Sequence, residues 1–256
     1  MPLDDLAPHP APGVTNEALR ARAVHLNAQM RHHSAADVVT LAAKQVSNLA
    51  LVSSFGAESV VLLHLASMVQ RDLPVLFIDT ELLFTETLVY QQELTERLGL
   101  KNVTILRSGN IAQIDAAGTL HHHDTDACCA LRKTLPLQTA LSGFDGWITG
   151  RKRFQSGTRA ALEHFEFEER IGGAPRLKVN PLAHWAAADV ADYMTENRLP
   201  RHPLVARGYL SIGCAPCTSP VEKGEEPRAG RWRKTKKSEC GIHHINGKIV
   251  RTGDKT

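Results

Sequence analysis

Short apolar runs alternate with amphipathic segments along most of the chain. Runs of three to five apolar residues bounded by polar or turn-forming residues are typical of buried strands, and they predict strands at residues 49–53, 75–78, 103–106 and 147–149. Between these runs apolar residues recur at helical spacing, which predicts helices. The predicted helices cover residues 15–31, 35–46, 59–70, 84–98 and 128–141. Pro136 limits or kinks the last of them.

This order of elements predicts an α/β fold. Repeated strand–helix alternation is typical of a parallel sheet with helices on both faces, and ligands bind such sheets beyond the carboxyl ends of the strands. We expect a mobile, proline-rich leader over residues 1–13 and an α/β domain over residues 14–222. A flexible, basic C-terminal flap is expected over residues 223–256.

Composition excludes several classes of protein. Hydrophobic residues make up 43% and charged residues 22%, which is typical of a globular chain and not of a disordered or fibrous one. The most apolar stretch, residues 59–69, is broken by His64 and Ser67 and is too short to cross a bilayer. The acidic start of the chain lacks the features of a signal peptide, so we expect a cytoplasmic protein with no membrane partner. A net charge of +3 also argues against a dedicated nucleic-acid binder.

The five cysteines indicate metal or thiol chemistry. An odd number in a chain with no secretion signal argues against a disulfide framework. The short Cys214–Cys217 spacing lets two thiolates converge on one centre. Cys128 and Cys129 are adjacent, and adjacent side chains diverge, so they suit the separate irons of a 4Fe–4S cluster, which takes four thiolates. Zinc is the main alternative to an iron–sulfur cluster. A second alternative is that Cys128 and Cys129 bind no metal and are buried, inert thiols.

Cys240 lies apart from these four. It ends a basic segment, and the neighbouring Lys236, Lys237, His243 and His244 favour its thiolate, which predicts a nucleophile. The alternative is an exposed thiol with no role. The basic residues of the segment are Lys223, Arg228, Arg231, Arg233, Lys234, Lys236 and Lys237. Such a cluster attracts a small anion.

Polar and basic residues follow three predicted strands. The turn over residues 53–59 precedes a helix N-terminus and suits an anion, although an ordinary helix cap explains it too. Asp79 and Thr80 follow the second strand, where they contact an adenine or ribose or cap a helix. The loop over residues 150–159 has four basic residues and suits a phosphate-like group, unless it is simply solvated. The run His121–His123 is given no role.

Four motifs together resemble the assimilatory sulfonucleotide reductases. They are Cys128-Cys129-Ala-Leu-Arg132-Lys133, Gly150-Arg-Lys-Arg-Phe-Gln-Ser, Gly213-Cys-Ala-Pro-Cys-Thr and Glu239-Cys-Gly-Ile-His243. The resemblance covers residues 49–243 and is strongest to the bacterial adenylyl-sulfate (APS) reductases. It implies an adenine-nucleotide α-hydrolase-like fold, a 4Fe–4S cluster on Cys128, Cys129, Cys214 and Cys217, and Cys240 as the nucleophile. The presence of all four cluster cysteines favours APS over its 3′-phosphorylated derivative.

The resemblance also implies the reaction and the substrate contacts. The reaction is thioredoxin-dependent reduction of APS to sulfite and AMP through an S-sulfocysteine, in sulfate assimilation. The substrate contacts carried over are Ser53, Ser54, Gly56, Asp79, Thr80, Lys133, Gly150, Arg159, Arg228 and Arg231. The first turn departs from the family, because Ser53-Ser54-Phe55-Gly56 stands where Ser-Phe-Ser-Gly is usual. A homo-oligomer is compatible with the sequence, which does not define the oligomeric state.

Two other functions remain open from the residues alone. An ATP pyrophosphatase-type enzyme of the same superfamily would need an SGGxDS loop, in which Phe55 and Glu58 here replace expected residues. A zinc-bound four-cysteine module with a basic, nucleic-acid-binding tail is the non-enzymatic alternative.

Overall fold

A six-stranded, mostly parallel sheet forms the centre of the molecule. The computed structural model describes residues 15–155, 157–170, 173–233 and residue 237. The strands are β1 (Leu49–Ser53), β2 (Val75–Ile78), β3 (Val103–Leu106), β4 (Gly146–Ile148), β5 (Phe165–Glu168) and β6 (Arg176–Val179). Their order in the sheet is β3-β2-β1-β4-β6-β5, and only the β5–β6 pair of these six strands is antiparallel.

Nine α-helices connect and cover the strands of the described chain. They are α1 (Asn16–Met30), α2 (Ala35–Gln45), α3 (Ser59–Val69), α4 (Thr85–Arg97), α5 (Ile111–Ile114), α6 (Leu120–His123), α7 (Thr125–Cys129), α8 (Leu135–Ala140) and α9 (Ala187–Glu196). Polar caps fix the first two: Thr15 accepts from the N–H of Ala18, and Ser34 and Asp37 form a capping box. The four predicted helices that precede residue 100 are confirmed to within one or two residues.

Both faces of the sheet are covered, as the sequence predicts. Leu49 and Leu51 point into a large core shared with α1 to α4 and α9. The intervening Ala50 points to the opposite face, where it joins a smaller core with Leu137 of α8 and Trp147 of β4. This alternation along β1 places α8 on one face and most other helices on the other, which confirms the predicted fold class.

The predicted helix over residues 128–141 is divided into three parts. A π-helical turn, Ala130–Thr134, separates α7 from α8. Pro136 has no N–H and its ring would crowd the carbonyl of Arg132 in a regular α-helix. The wider turn avoids this conflict, and the N–H of Leu135 bonds instead to the carbonyl of Ala130. The turn buries Arg132 and directs Lys133 to a cavity.

The second half of the chain contains elements that the sequence analysis does not predict. These are β5, β6 and α9, and β5 makes the sheet mixed instead of wholly parallel. Residues 223–233, the described start of the predicted flap, pack against the CxxC turn, where the N–H of Trp232 donates to the carbonyl of Cys217 at 3.0 Å. The predicted leader lies outside the described residues. Among the described helices, none has the length and apolar character needed to cross a membrane.

Candidate active site

A cavity of about 580 Å³ opens at the carboxyl ends of the parallel strands. Its walls come from the turn after β1, the end of β2, the loop after β4, the π-helical turn, and two segments of the C-terminal region, 210–213 and 226–231. The structure brings nine of the ten sequence-predicted substrate contacts to this cavity. They are Ser53, Ser54, Gly56, Thr80, Lys133, Gly150, Arg159, Arg228 and Arg231.

The turn after β1 directs its aromatic residue into the core and its serines to the cavity. Phe55 adopts the left-handed region, with φ at +47°, and its ring packs edge-on against Phe77 at 5.1 Å in the buried core. Its N–H bonds to Ser53 Oγ at 3.1 Å, and the Gly56 N–H bonds to Ser59 Oγ at 2.9 Å. The Ser-Ser-Phe-Gly order therefore forms a compact turn that keeps both serines on the cavity wall.

Asp79 is the predicted contact that does not line the cavity. Its carboxylate pairs with Arg107 at 2.8 Å and accepts the N–H of Glu81 at 2.9 Å, so it holds the end of β2 in place. The neighbouring Thr80 does face the cavity, and its hydroxyl lies 3.2 Å from Cys214 Sγ. The end of β2 thereby connects the cavity to the cysteines.

The basic loop after β4 is folded by ion pairs. Lys152 Nζ bonds to Glu58 Oε2 at 2.8 Å, and burial lowers the pKa of this lysine. Arg159 donates to Gln155 Oε1 at 2.5 Å and faces the cavity. Arg153 turns away, because it bonds to the Leu162 carbonyl and to Glu163. The loop is thus a built wall and not a solvated run of charge.

Four cysteines from two distant segments lie together beside the cavity. Burial, together with the nearby thiols of Cys129, Cys214 and Cys217, raises the pKa of the Cys128 thiol to about 11. Burial and Cys214 also raise the pKa of Cys217, whereas Lys133 and Arg231 lower it. Within the described ranges, no group of three or more His, Cys, Asp or Glu side chains forms a site for a single metal ion. The charges of neighbouring cysteines nonetheless act on the pKa values of both Cys128 and Cys217, so the two segments lie close together.

Buried polar contacts hold the two cysteine segments against each other. Arg132 donates to the Thr80 carbonyl at 2.8 Å and to Asp115 at 2.8 Å, and both charged side chains are buried. Arg132 holds the pKa of Asp115 below its usual range. From the CxxC side, the Ala215 N–H donates to the Leu82 carbonyl at 2.7 Å. No motif surrounds Asp115 in the sequence, so its pairing with Arg132 follows only from the folded chain.

Arg231 links the cavity to the CxxC turn. Its guanidinium lies against Gly213, where an added Cβ would come within 2.3 Å of it, and stacks on Trp232 at 4.4 Å from the ring centroid. The backbones of Thr218 and Arg231 form an isolated bridge. Only glycine at position 213 leaves room for this arrangement.

The predicted nucleophile Cys240 lies outside the described residues, but Lys237 is described close to the cysteines. Lys237 forms an ion pair with Asp126 and lies 3.4 Å from the Thr125 carbonyl, in the first turn of α7. Asp126 and Cys129 both raise the pKa of Lys237.

Residues 48–220 match the phosphoadenosine phosphosulfate reductase domain family. The chain belongs to that family. Proteins named adenosine 5′-phosphosulfate reductase are similar to it along most of its length. The protein of Mesorhizobium japonicum is 46% identical over 90% of this chain and 91% of its own, and that of Streptomyces coelicolor is 36% identical over 90% and 96%.

The fold of this phosphoadenosine phosphosulfate reductase domain is also found in solved structures. The crystal structure of phosphoadenylyl-sulfate (PAPS) reductase from Candida auris, a phosphate complex, has a TM-score of 0.68 at 26% identity and covers 83% of this chain and all of that one. Candida glabrata FMN adenylyltransferase, at 15% identity and a TM-score of 0.53, covers 82% and 76% and shares the fold alone. These findings confirm the predicted family and fold.

The sequence missed parts of the reductase-domain cavity. Leu210 and Ile212 come from a loop with no motif, and their place on the wall follows only from the folded chain. Glu58 appeared in the sequence only as a mismatch to another family's loop. Gln155 lay within a recognised motif, which was the one available signal.

Proposed function

We propose that this chain reduces APS to sulfite and AMP, with thioredoxin as the electron donor and an S-sulfocysteine on Cys240 as the intermediate. The observation that carries the proposal is the cavity at the strand ends. Its basic residues Lys133 and Arg231 also lower the pKa of Cys217, so the cavity and the cysteines are adjacent. The relatives named adenosine 5′-phosphosulfate reductase support the same substrate. The reaction would take place in the cytoplasm, where thioredoxin keeps thiols reduced.

The proposed reaction balances with one dithiol. The Cys240 thiolate attacks the sulfur of APS, an S–S bond forms, and the bond from sulfur to the bridging oxygen breaks to release AMP. One thioredoxin thiolate then attacks Cys240 Sγ and releases sulfite, leaving a mixed disulfide. The second thioredoxin thiol resolves this disulfide and restores Cys240. Two electrons pass from the dithiol to sulfur, and thioredoxin leaves as a disulfide.

The cavity residues would bring two anions together. A thiolate and a sulfate repel one another, and preorganised cations reduce that barrier. Lys133, Arg159 and Arg231 line the cavity. A hydrogen bond to Gln155 holds Arg159, and the guanidinium of Arg231 stacks on Trp232. Ser53, Ser54 and Gly56 would contact the nucleotide at the end of β1. The role of Asp79 would be to hold the end of β2, because it does not reach the cavity.

We further propose that Cys128, Cys129, Cys214 and Cys217 hold a 4Fe–4S cluster. The fit rests on the donor set: four buried or half-buried thiols, each within electrostatic reach of others, from two segments that polar contacts lock together. When bound, the cluster would tie these segments together and add charge beside the cavity, while both electrons come from the dithiol. Zinc on the same thiols is the alternative, and metal and sulfide analysis of anaerobically purified protein separates the two.

The deciding experiment traps the intermediate. The reduced, metal-loaded chain is incubated with APS in the absence of thioredoxin, and its intact mass and peptide map are measured. We expect one added sulfonate, on Cys240, which is released as sulfite when thioredoxin is supplied. The variant Cys240→Ser should keep its iron and form no adduct. An adduct on another cysteine, or turnover by Cys240→Ser, would refute the mechanism.

A further inference from the structure

Glu58 presents an unengaged carboxylate oxygen to the cavity. Its Oε2 accepts both Lys152 Nζ at 2.8 Å and Gln155 Nε2 at 3.4 Å. Within the described chain, Oε1 has no hydrogen bond, and the side chain is about one-third exposed on the cavity wall. Glu58 is also the N-cap of α3 but makes no side-chain cap bond, so its carboxylate serves Lys152 instead of the helix.

This carboxylate changes what the turn after β1 can bind. A helix N-terminus flanked by serines ordinarily suits a phosphate. Here the charge of Lys152 is neutralised by Glu58, because the lysine is buried and its other bond goes to the carbonyl of Gly150. An additional phosphate near Glu58 would approach the negative end of this ion pair, because the carboxylate is exposed to the cavity and the lysine is buried behind it. A sugar hydroxyl, in contrast, can donate a hydrogen bond to the carboxylate oxygen.

Glu58 and Arg159 lie on the same wall of the cavity and are joined through one side chain, Gln155. Gln155 lies between Arg159 and Glu58: its Oε1 accepts from the arginine and its Nε2 donates to the carboxylate. One glutamine amide therefore separates a cation on the wall from Glu58. In a 5′-nucleotide, one ribose ring separates the 5′-phosphate from the 3′-hydroxyl. A phosphosulfate held at Arg159 would thus bring the ribose hydroxyls to Glu58.

We propose that Glu58 accepts a hydrogen bond from the ribose 3′-hydroxyl and repels a 3′-phosphate, so that it selects APS over its 3′-phosphorylated derivative. This inference rests on the proposed function and names the residue that sets its substrate choice. Repulsion between two like charges is strong in a partly desolvated site. The Glu58 carboxylate would therefore disfavour the ligand that carries a 3′-phosphate.

The test compares two nucleotide pairs in wild type and Glu58→Gln, using the full metal-loaded chain. The first readout is the ratio of kcat/KM for APS to that for the 3′-phosphorylated substrate. The second is the ratio of Kd for adenosine 3′,5′-bisphosphate to Kd for AMP, which needs no thiol chemistry. We expect both ratios to fall by about tenfold or more in Glu58→Gln, mainly through tighter binding of the 3′-phosphorylated ligand.

Two further variants complete the test. Glu58→Gln/Lys152→Met avoids leaving a buried lysine without its partner, so it covers the case in which the single variant does not fold, and it should also lose discrimination. Glu163→Gln removes an exposed carboxylate that pairs with Arg153, and both ratios should stay as in wild type. Unchanged ratios in the Glu58 variants, or an equal fall in Glu163→Gln, would overturn the inference. If wild type reduces neither substrate, the proposed function itself fails.

Discussion

At the scale of single residues, Lys178 is the least ordinary group in the core. It lies in β6, fully buried, with its ammonium 4.6 Å from the centre of the Trp147 ring and 4.0 Å from Glu168 Oε1. Among the described residues its Nζ has no hydrogen-bond partner. Burial, followed by the charge of Arg151, lowers the pKa of Lys178 to about 7. The folded protein therefore pays an electrostatic penalty when this lysine is protonated.

Lys178→Met should stabilise the fold, most clearly near and below neutral pH. Between pH 7 and the ordinary lysine pKa of 10.5, the unfolded chain holds a proton on this side chain that the folded chain does not. Wild-type stability at this site therefore rises with pH across that window, and the penalty is full below pH 7. Thermal unfolding from pH 6 to pH 10 should show a higher Tm for the variant that converges on wild type as pH rises.

The control for this comparison is Lys44→Met, near the exposed end of α2, which should leave the pH profile unchanged. A Tm for Lys178→Met below that of wild type at pH 7 would show that the contacts to Trp147 and Glu168 outweigh the burial penalty.

At the scale of elements, two glycines join the CxxC segment to the segment that follows it. A Cβ at Gly213 would lie 2.3 Å from the Arg231 guanidinium, which is the end of a flexible side chain. A Cβ at Gly230 would lie 2.1 Å from the carbonyl oxygen of Ser219, which is a backbone atom, and the Ser219 N–H donates to the Gly230 carbonyl at 2.9 Å. The first clash can be relieved by moving a side chain, whereas the second requires the backbone to move.

The two alanine variants should therefore fail in different ways. Gly213→Ala should keep a Tm near that of wild type but raise the KM for APS several-fold, because Arg231 is displaced from the cavity. Gly230→Ala should lower the Tm by several degrees, through loss of the pairing between residues 219 and 230. Thermal unfolding and steady-state kinetics on both proteins check this. Equal kinetic defects in two equally stable variants would contradict the assignment.

Some strands could be predicted from the sequence and others could not. β1, β2 and β3 are apolar runs, and their bounds follow from the sequence. β6 is the run Arg-Leu-Lys-Val and is buried throughout. Its charges are tolerated because the antiparallel β5 places Glu168 opposite Arg176 and Glu166 opposite Lys178. Nothing local in the sequence shows that these acids and bases will meet.

At the scale of the whole molecule, the parts of the site that lie in contiguous sequence motifs could be predicted. Strand ends, the cysteine pairs and the basic loop were visible, and parallel topology brings strand ends together. The pairings that tune the site were not visible, because they join distant residues. Glu58 and Lys152 are one example, and Arg132 and Asp115 are another.

Metal removal tests how far the proposed cluster unites the molecule. Cys128 and Cys129 are the last two residues of α7, whereas Cys214 and Cys217 lie in a turn far along the chain. A shared cluster would therefore close a long loop and stabilise the fold. Anaerobic chelation of the iron should lower the Tm and speed amide hydrogen exchange in α7 and in residues 213–233. Exchange in the β5–β6 pair should change little, because the main neighbours of these strands are β4 and α1 and not the cysteine segments. Cys240→Ser, which keeps all four proposed ligands, should retain both iron and Tm. Equal exchange in the two regions, or a chelated protein as stable as the loaded one, would show that the four sulfurs do not join these segments through metal.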